Sequence, residues 1–260
     1  SSNLVVKNLG PLVVANPMLQ KMEIAPIVDL HCPPDPRMKV STGVIIHAMA
    51  ANRLCSPAPL LHVAEWAHDS GAELLLGISA ADLTDDKLGR ALDAMFEKRW
   101  EILADVALHV ASTFSVDLSK VHYDPTSFHF TGEYDNQSPS ASLVPELRPF
   151  KIEYGRHALP GSRAKEAQVG GDLANDPKGP LPFFYHTADG SANGHQAVAK
   201  NLQHLLKFLK PKKLMMVTDR GCFSTGYAFK IRDAKFHFIS SVTWEQEHKA
   251  IYDEKRPVMR

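Results

Sequence analysis

Two aspartates in this chain stand where chemistry can be done. Asp124 lies within KVHYDPTSFHF (Lys120–Phe130), and Asp219 closes the apolar run of KLMMVTDRG (Lys213–Gly221). In the first stretch Val121 and Tyr123 alternate with His122 and Asp124, the period-2 pattern of a strand. A carboxylate among β-branched and aromatic residues costs several kcal/mol to bury unless something compensates it. The second stretch repeats the situation, an apolar strand that ends on an acid. Either Asp alone also fits a simpler role, capping the turn or helix that follows its strand. As a pair at two strand ends they suit a divalent metal. Carboxylates brought together repel, and one pKa rises unless a cation lies between them. Hard oxygen donors select Mg²⁺ or Mn²⁺ over zinc. Two such ions, about 3.5–4 Å apart, activate water or a 3′-hydroxyl and stabilise the leaving oxygen in phosphodiester displacement. Such a site wants a third carboxylate.

The elements that must position the pair come in two kinds. Residues 1–117 read as helical. Asn16–Asp29 carries Met18, Leu19, Met22, Ile24 and Ile27 at helical spacing, with Pro26 bending or ending it. Ser41 is an N-cap for Val44–Leu54, and Leu60–His68 resumes a helix after Pro57 and Pro59. Thr84, with Asp85 and Asp86 behind it, opens a helix whose Leu88, Leu92, Met95 and Phe96 share one face. Trp100–Phe114 follows as another. From Asp117 the period changes. Strands are predicted at Lys120–Thr131, Glu166–Leu173, Leu181–His186, Lys213–Thr218 and Phe236–Ser240, with helices at His195–Leu209 and Ser224–Asp233. NDPKG (Asn175–Gly179) makes the second and third strands a hairpin, and Gly132–Ala164 reads mostly as loop. In a mixed sheet of this order the first and fourth strands can be neighbours. That would bring Asp124 and Asp219 together across 95 residues of sequence.

Composition narrows the class. The 260 residues are 44% hydrophobic and 22% charged, with a formal net charge of zero. That is ordinary for a globular protein and excludes a uniformly basic nucleic-acid coat, though not a local basic patch. Cys32, Cys55 and Cys222 show no CxxC spacing and suit a reduced compartment. With no apolar stretch of spanning length and no secretory leader, a soluble cytoplasmic protein without membrane partners is expected.

Several motifs, in order, go further. VHYDPTSFHF, GPLPFFYHTADGSANG and LMMVTDRGCFS closely resemble bacterial insertion-sequence transposases of the DDE type, which have a ribonuclease H-like catalytic core. LGPLVVANPML, ANRLCSPAPLLHVAEWA and LTDDKLGRALDAMFE resemble the helical N-terminal domain of the same transposases. The resemblance covers nearly the whole chain. It implies an α+β or α/β chain, with a helical domain over 1–117 for DNA binding or dimerisation and a ribonuclease H-like mixed sheet over 118–260 that is incomplete at its C-terminus. It implies Asp124 and Asp219 as the first two catalytic and metal-binding acids, two Mg²⁺ or Mn²⁺ ions, and double-stranded DNA (element ends and target) as partner. A homodimer and association with the nucleoid are also implied. Thr126 and Arg220 belong to the motifs without an assigned role.

The third acid is the departure. In these transposases a Glu follows an inserted segment well beyond the second Asp, whereas this chain ends 41 residues after Asp219. Glu245 and Glu247 follow the last predicted strand, where an uninterrupted core would carry the final Glu. The expectation is a truncated copy with weak or no activity. The alternative is a DNA-binding or dimerising remnant without catalysis, and a metal-dependent phosphohydrolase rests on the Asp pair alone. Lys87, Arg90, Lys98 and Arg99 are candidates for phosphate contact, set against an ordinary solvated helix face. Ser41–His68 also fits a helix-turn-helix. His122 and His129 flank Asp124 and read as structural, because carboxylate-dominated Mg²⁺ sites do not need them.

Overall fold

The computed structural model describes residues 6–134, 150–155, 164–177, 179–192, 194–222, 225–233, 235–241 and 249. The chain divides into two compact units, the first ending at Val116 and the second beginning at Asp117. The fold is mixed α+β, a helical first unit followed by a six-stranded mixed sheet with helices.

The first unit contains α1 (Leu12–Lys21), α2 (Ile24–His31), α3 (Thr42–Cys55), α4 (Val63–Ser70), α5 (Ala72–Leu76), α6 (Asp85–Glu97) and α7 (Arg99–Phe114). Two of these helices, α3 and α6, start where a side chain takes up a free N–H group. Ser41 Oγ accepts from the Val44 N–H at 3.3 Å, and Thr84 Oγ1 accepts from the Lys87 N–H at 3.4 Å. Leu12, Val28, Ala48, Ala51, Leu83 and Leu88 form the centre of one apolar core. Pro26 does not end the Asn16–Asp29 helix. The break falls at Glu23, which takes a left-handed conformation (φ 53°) between α1 and α2. Pro26 then lies in the first turn of α2, where its missing N–H would have had no helical partner.

The second unit holds β1 (Lys120–Phe130), β2 (Glu153–Tyr154), β3 (Lys165–Asp176), β4 (Gly179–Asp189), β5 (Met215–Thr218) and β6 (His237–Ser240), with α8 (Gly194–His204) and α9 (Thr225–Asp233). β1 is central. It pairs antiparallel with β3 and parallel with β5, while β4 and β2 lie beyond β3 and β6 lies beyond β5. Parallel neighbours need a crossover, and α9 supplies the one from β5 to β6. Val121, Tyr123, Asp172, Ala174, Phe184, His186 and Met216 are buried on strand faces, and α8 buries Val198, Asn201, Leu202 and the following Leu205.

Three local readings are corrected. β2 lies within a segment expected to be loop; two residues are too short to show a period, and they pair only with Lys165 and Glu166. The helix expected to run to Leu209 changes to a π-turn at Leu205–Leu209 and closes on Lys210 in a left-handed conformation (φ 45°). A proline donates no ladder bond and belongs at a strand end or a bulge, but Pro125 lies inside β1 opposite Gly170. β5 pairs with β1 only as far as Tyr123, so from Pro125 onward β5 makes no demand on β1 for an N–H donor.

The α2–α3 contact gives a stability test. Asp29 accepts from Ser41 Oγ and from the Gly43 N–H, both at 2.6 Å, and a Cβ at Gly43 would stand 2.1 Å from the Ala25 carbonyl oxygen. Because the obstacle is backbone, Gly43→Ala should destabilise the chain by about 1–3 kcal/mol. Denaturant unfolding measures it, and an unchanged midpoint would mean that the helices are not this close.

Candidate metal centre

The β1–β5 ladder ends at the pair Tyr123–Thr218, and Asp124 and Asp219 are the next residue on each chain. The parallel register therefore brings the two acids to one end of two adjacent strands. Neither is buried. The pleat that turns Val121 and Tyr123 into the core turns Asp124 to the open face, so no burial cost has to be offset. Across β1 on the other side, Asp124 faces Gly171 of β3, and nothing lies within 4 Å of where a Cβ on that glycine would stand. Space beside Asp124 is open to water, an ion or a phosphate.

Asp219 is held by its own turn and by the neighbouring strand. The Cys222 N–H donates to Asp219 Oδ1 at 3.0 Å, and Ser240 Oγ donates to the Asp219 carbonyl oxygen at 2.9 Å. The Cys222 thiol is 1% exposed. Burial pushes its pKa far up, reinforced by the adjacent Asp219 carboxylate and then by the charge of Asp124. One thiol thus feels both carboxylates, and it stays protonated and unreactive.

Among the described residues, no three His, Cys, Asp or Glu side chains are grouped to hold a metal. Two exposed carboxylates at adjacent strand ends do suit a single Mg²⁺ or Mn²⁺ with water completing the shell. Glu245 and Glu247 lie outside the described residues. His129 Nδ1 lies 3.7 Å from Glu166 Oε1, and the pleat sets His129 on the opposite face of β1 from Asp124. His122 is exposed.

Behind Asp124 lies a buried polar cluster that strand periodicity did not reveal. Asp172, opposite Tyr123 in the β1–β3 ladder, is fully buried and accepts from Asn201 Nδ2 at 2.9 Å. Burial pushes its carboxyl up to about 7, against the opposing pull of the Asn201 hydrogen bond. His186 is buried too, and burial, with Lys200 and His204 adding to it, holds its imidazole down to about 3. Gly170 and Gly171 within the strand were the available signal, since glycine inside a strand marks close approach of another group.

The basic candidates are in the first unit. Lys87 and Lys39 both pair with Asp82 at 2.8 Å, and Arg90 pairs with Asp86. Arg99 stacks on Phe96 at 4.0 Å and on Trp100 at 5.0 Å. Arg37, Lys39, Lys87, Arg90 and Lys98 line one cleft of about 760 Å³ between the loop after α2 and helix α6. No helix among the described residues is long and apolar enough to cross a membrane.

A family model described as a domain of unknown function, DUF4277, matches residues 4–108. No curated protein matches the chain. Solved structures that align include a Mos1 transposase paired-end complex with the left transposon end (12% identity, TM-score 0.27, 81% of this chain) and a pre-cleavage Mos1 transpososome (12% identity, TM-score 0.28, 81% of this chain). The Mos1 strand transfer complex aligns over 82% of this chain at 12% identity and TM-score 0.28. This chain spans 61% of the length of each. Superpositions this loose carry nothing about its chemistry.

Asp172 makes stability depend on pH in a way that can be isolated. Its folded pKa lies above the unfolded one, so its contribution is fully present below about 4 and is lost as pH rises toward about 7. His186 works in the opposite sense: its folded pKa is depressed to about 3, so stability is lost as pH falls below the usual imidazole range. The two partly offset each other in the wild type. Asp172→Asn should therefore be increasingly more stable than wild type from about pH 4 to about pH 7, then level off, by a few kcal/mol at most. Urea midpoints across that range measure it. A difference that shrinks as pH rises would mean Asp172 is ionised and paired.

Proposed function

We propose that the chain is a DDE-type transposase acting on double-stranded DNA at insertion-sequence ends and targets. In this reading Asp124 and Asp219 are the first two metal-binding acids. The observation that carries it is the parallel β1–β5 register, which sets two exposed acids one residue past the last ladder pair of neighbouring strands. The motif resemblance chose these two residues independently of that register.

Each group has a defined task. A bound Mg²⁺ or Mn²⁺ supplies Lewis acidity at a phosphodiester and lowers the pKa of an attacking water or 3′-hydroxyl. Asp124 contributes an anionic oxygen from a rigid central strand, and Asp219 another from a turn fixed by Cys222 and Ser240. Gly171 leaves room for a phosphate beside Asp124. The helical unit supplies DNA contacts or a dimer surface, with Lys87, Arg90, Lys98 and Arg99 as the basic candidates. A second reading, a DNA-binding or dimerising protein without catalysis, rests on the cleft of the helical unit that Arg37, Lys39, Lys87, Arg90 and Lys98 line.

Mn²⁺ titration followed by thermal unfolding tests the metal role. At a hundredfold excess over the dissociation constant the ion should stabilise the fold by about 2.7 kcal/mol. Asp124→Asn and Asp219→Asn should each remove most of that shift. An undiminished shift in both would place the metal elsewhere. Cleavage of DNA carrying element ends separates the two readings. Mn²⁺-dependent cleavage lost in Glu245→Gln or Glu247→Gln assigns the third acid, whereas salt-sensitive binding without cleavage supports the non-catalytic reading.

A further inference from the structure

We infer that Tyr123 and Gly170 form a positioning pair that sets the direction of the Asp124 carboxylate, an inference that rests on Asp124 being a metal-binding acid. Tyr123 immediately precedes Asp124 and is 2% exposed. Its ring lies directly over Gly170 of β3. A Cβ at that glycine would stand 2.1 Å from the phenol oxygen, 2.4 Å from Cζ and 2.5 Å from Cε2. These separations are far inside van der Waals contact, so only glycine leaves the notch in which the ring sits.

The notch matters because little else steadies the side chain of Asp124. β5 pairs with β1 up to Tyr123 and no further, so its ladder fixes the residue before the acid but not the acid itself. On the other side the β3 ladder runs on through Asp124, paired with Gly171, and holds its backbone, but Gly171 has no side chain to steady the carboxylate. What remains to set the direction of that carboxylate is the conformation of the residues on either side. Pro125 follows with its φ set by the ring, and Tyr123 precedes with its side chain locked into the Gly170 notch. Successive strand residues point to opposite faces, so a rotation that lifts Tyr123 out of the core swings Asp124 by the same amount on the open face. The Tyr123 hydroxyl has no hydrogen-bond partner among the described residues. Shape, rather than a polar anchor, holds the ring. Tyr123 touches neither metal nor substrate and acts only through Asp124.

The test uses the full chain with Gly170→Ala, Tyr123→Leu and the double variant, whose added methyl and shortened side chain refit each other. Two readouts are taken below the unfolding transition: the Mn²⁺ dissociation constant by electron paramagnetic resonance of free Mn²⁺, and the amide cross-peak of Asp124. Gly170→Ala should weaken Mn²⁺ binding by about 10- to 100-fold, the range seen when groups that orient a metal ligand are disturbed, and should move the Asp124 cross-peak. The double variant should recover much of both. Val198→Ala, a buried change on α8, should lower the melting temperature and leave Mn²⁺ affinity alone. Gly170→Ala binding Mn²⁺ like the wild type, or Val198→Ala weakening it equally, would overturn the proposal. If Gly170→Ala does not fold, Tyr123→Leu, which empties the notch, must weaken Mn²⁺ binding, and unchanged affinity there overturns the proposal. If the wild type binds no Mn²⁺, the metal role of Asp124 fails. The pair is then judged by the cross-peak: displacement in Gly170→Ala and return in the double variant support it, and no displacement overturns it.

Discussion

Two strands hydrogen-bonded in the same direction, β1 and β5, decide where everything else in the second unit can go. Their ladder is only four residues long, from Lys120–Met215 to Tyr123–Thr218. A slip of one residue would turn Tyr123 to solvent and Asp124 into the core, at the cost of desolvating a carboxylate and exposing an aromatic ring. Burial of Val121, Tyr123 and Met216 therefore selects the register, and the register delivers two acids to one strand end. The apolar inner face thus determines the geometry of the polar outer one.

That inner face is not purely apolar. Asp172, Asn201 and His186 lie among Phe184, Val198 and Leu202. Asp172 is tolerable there because it can keep its proton, and His186 because it can lose one. Neither residue needs to be charged for the sheet to pack against α8. Glycines 170 and 171 serve opposite faces of the same strand: one makes room for the Tyr123 ring inside, the other leaves space beside Asp124 outside.

Much of this was legible in the sequence because the signals are local. Ser41 and Thr84 cap helices as their types suggest, NDPKG turns a hairpin, and the switch from helical to strand period falls where the second unit begins. Element order allowed the first and fourth predicted strands to be neighbours, and they pair. What escaped was set by tertiary contact. Glu23, not Pro26, breaks the first long helix, because a proline in a first turn lacks nothing there. Asp124 looked like a burial problem, but alternation does not say which face of a strand meets water, and the acid took the open one. The strand period gave no sign of Asp172's burial, since its partner Asn201 is 29 residues away on a helix.

The central claim is that Asp124 and Asp219 share a divalent cation. The most direct measurement is anomalous diffraction at the manganese edge from crystals soaked in Mn²⁺, compared with crystals of Asp124→Asn treated identically. A peak between the two carboxylates that disappears in the variant is the predicted result. A peak that persists in the variant, or one bound elsewhere while the two aspartates remain bare, would contradict it.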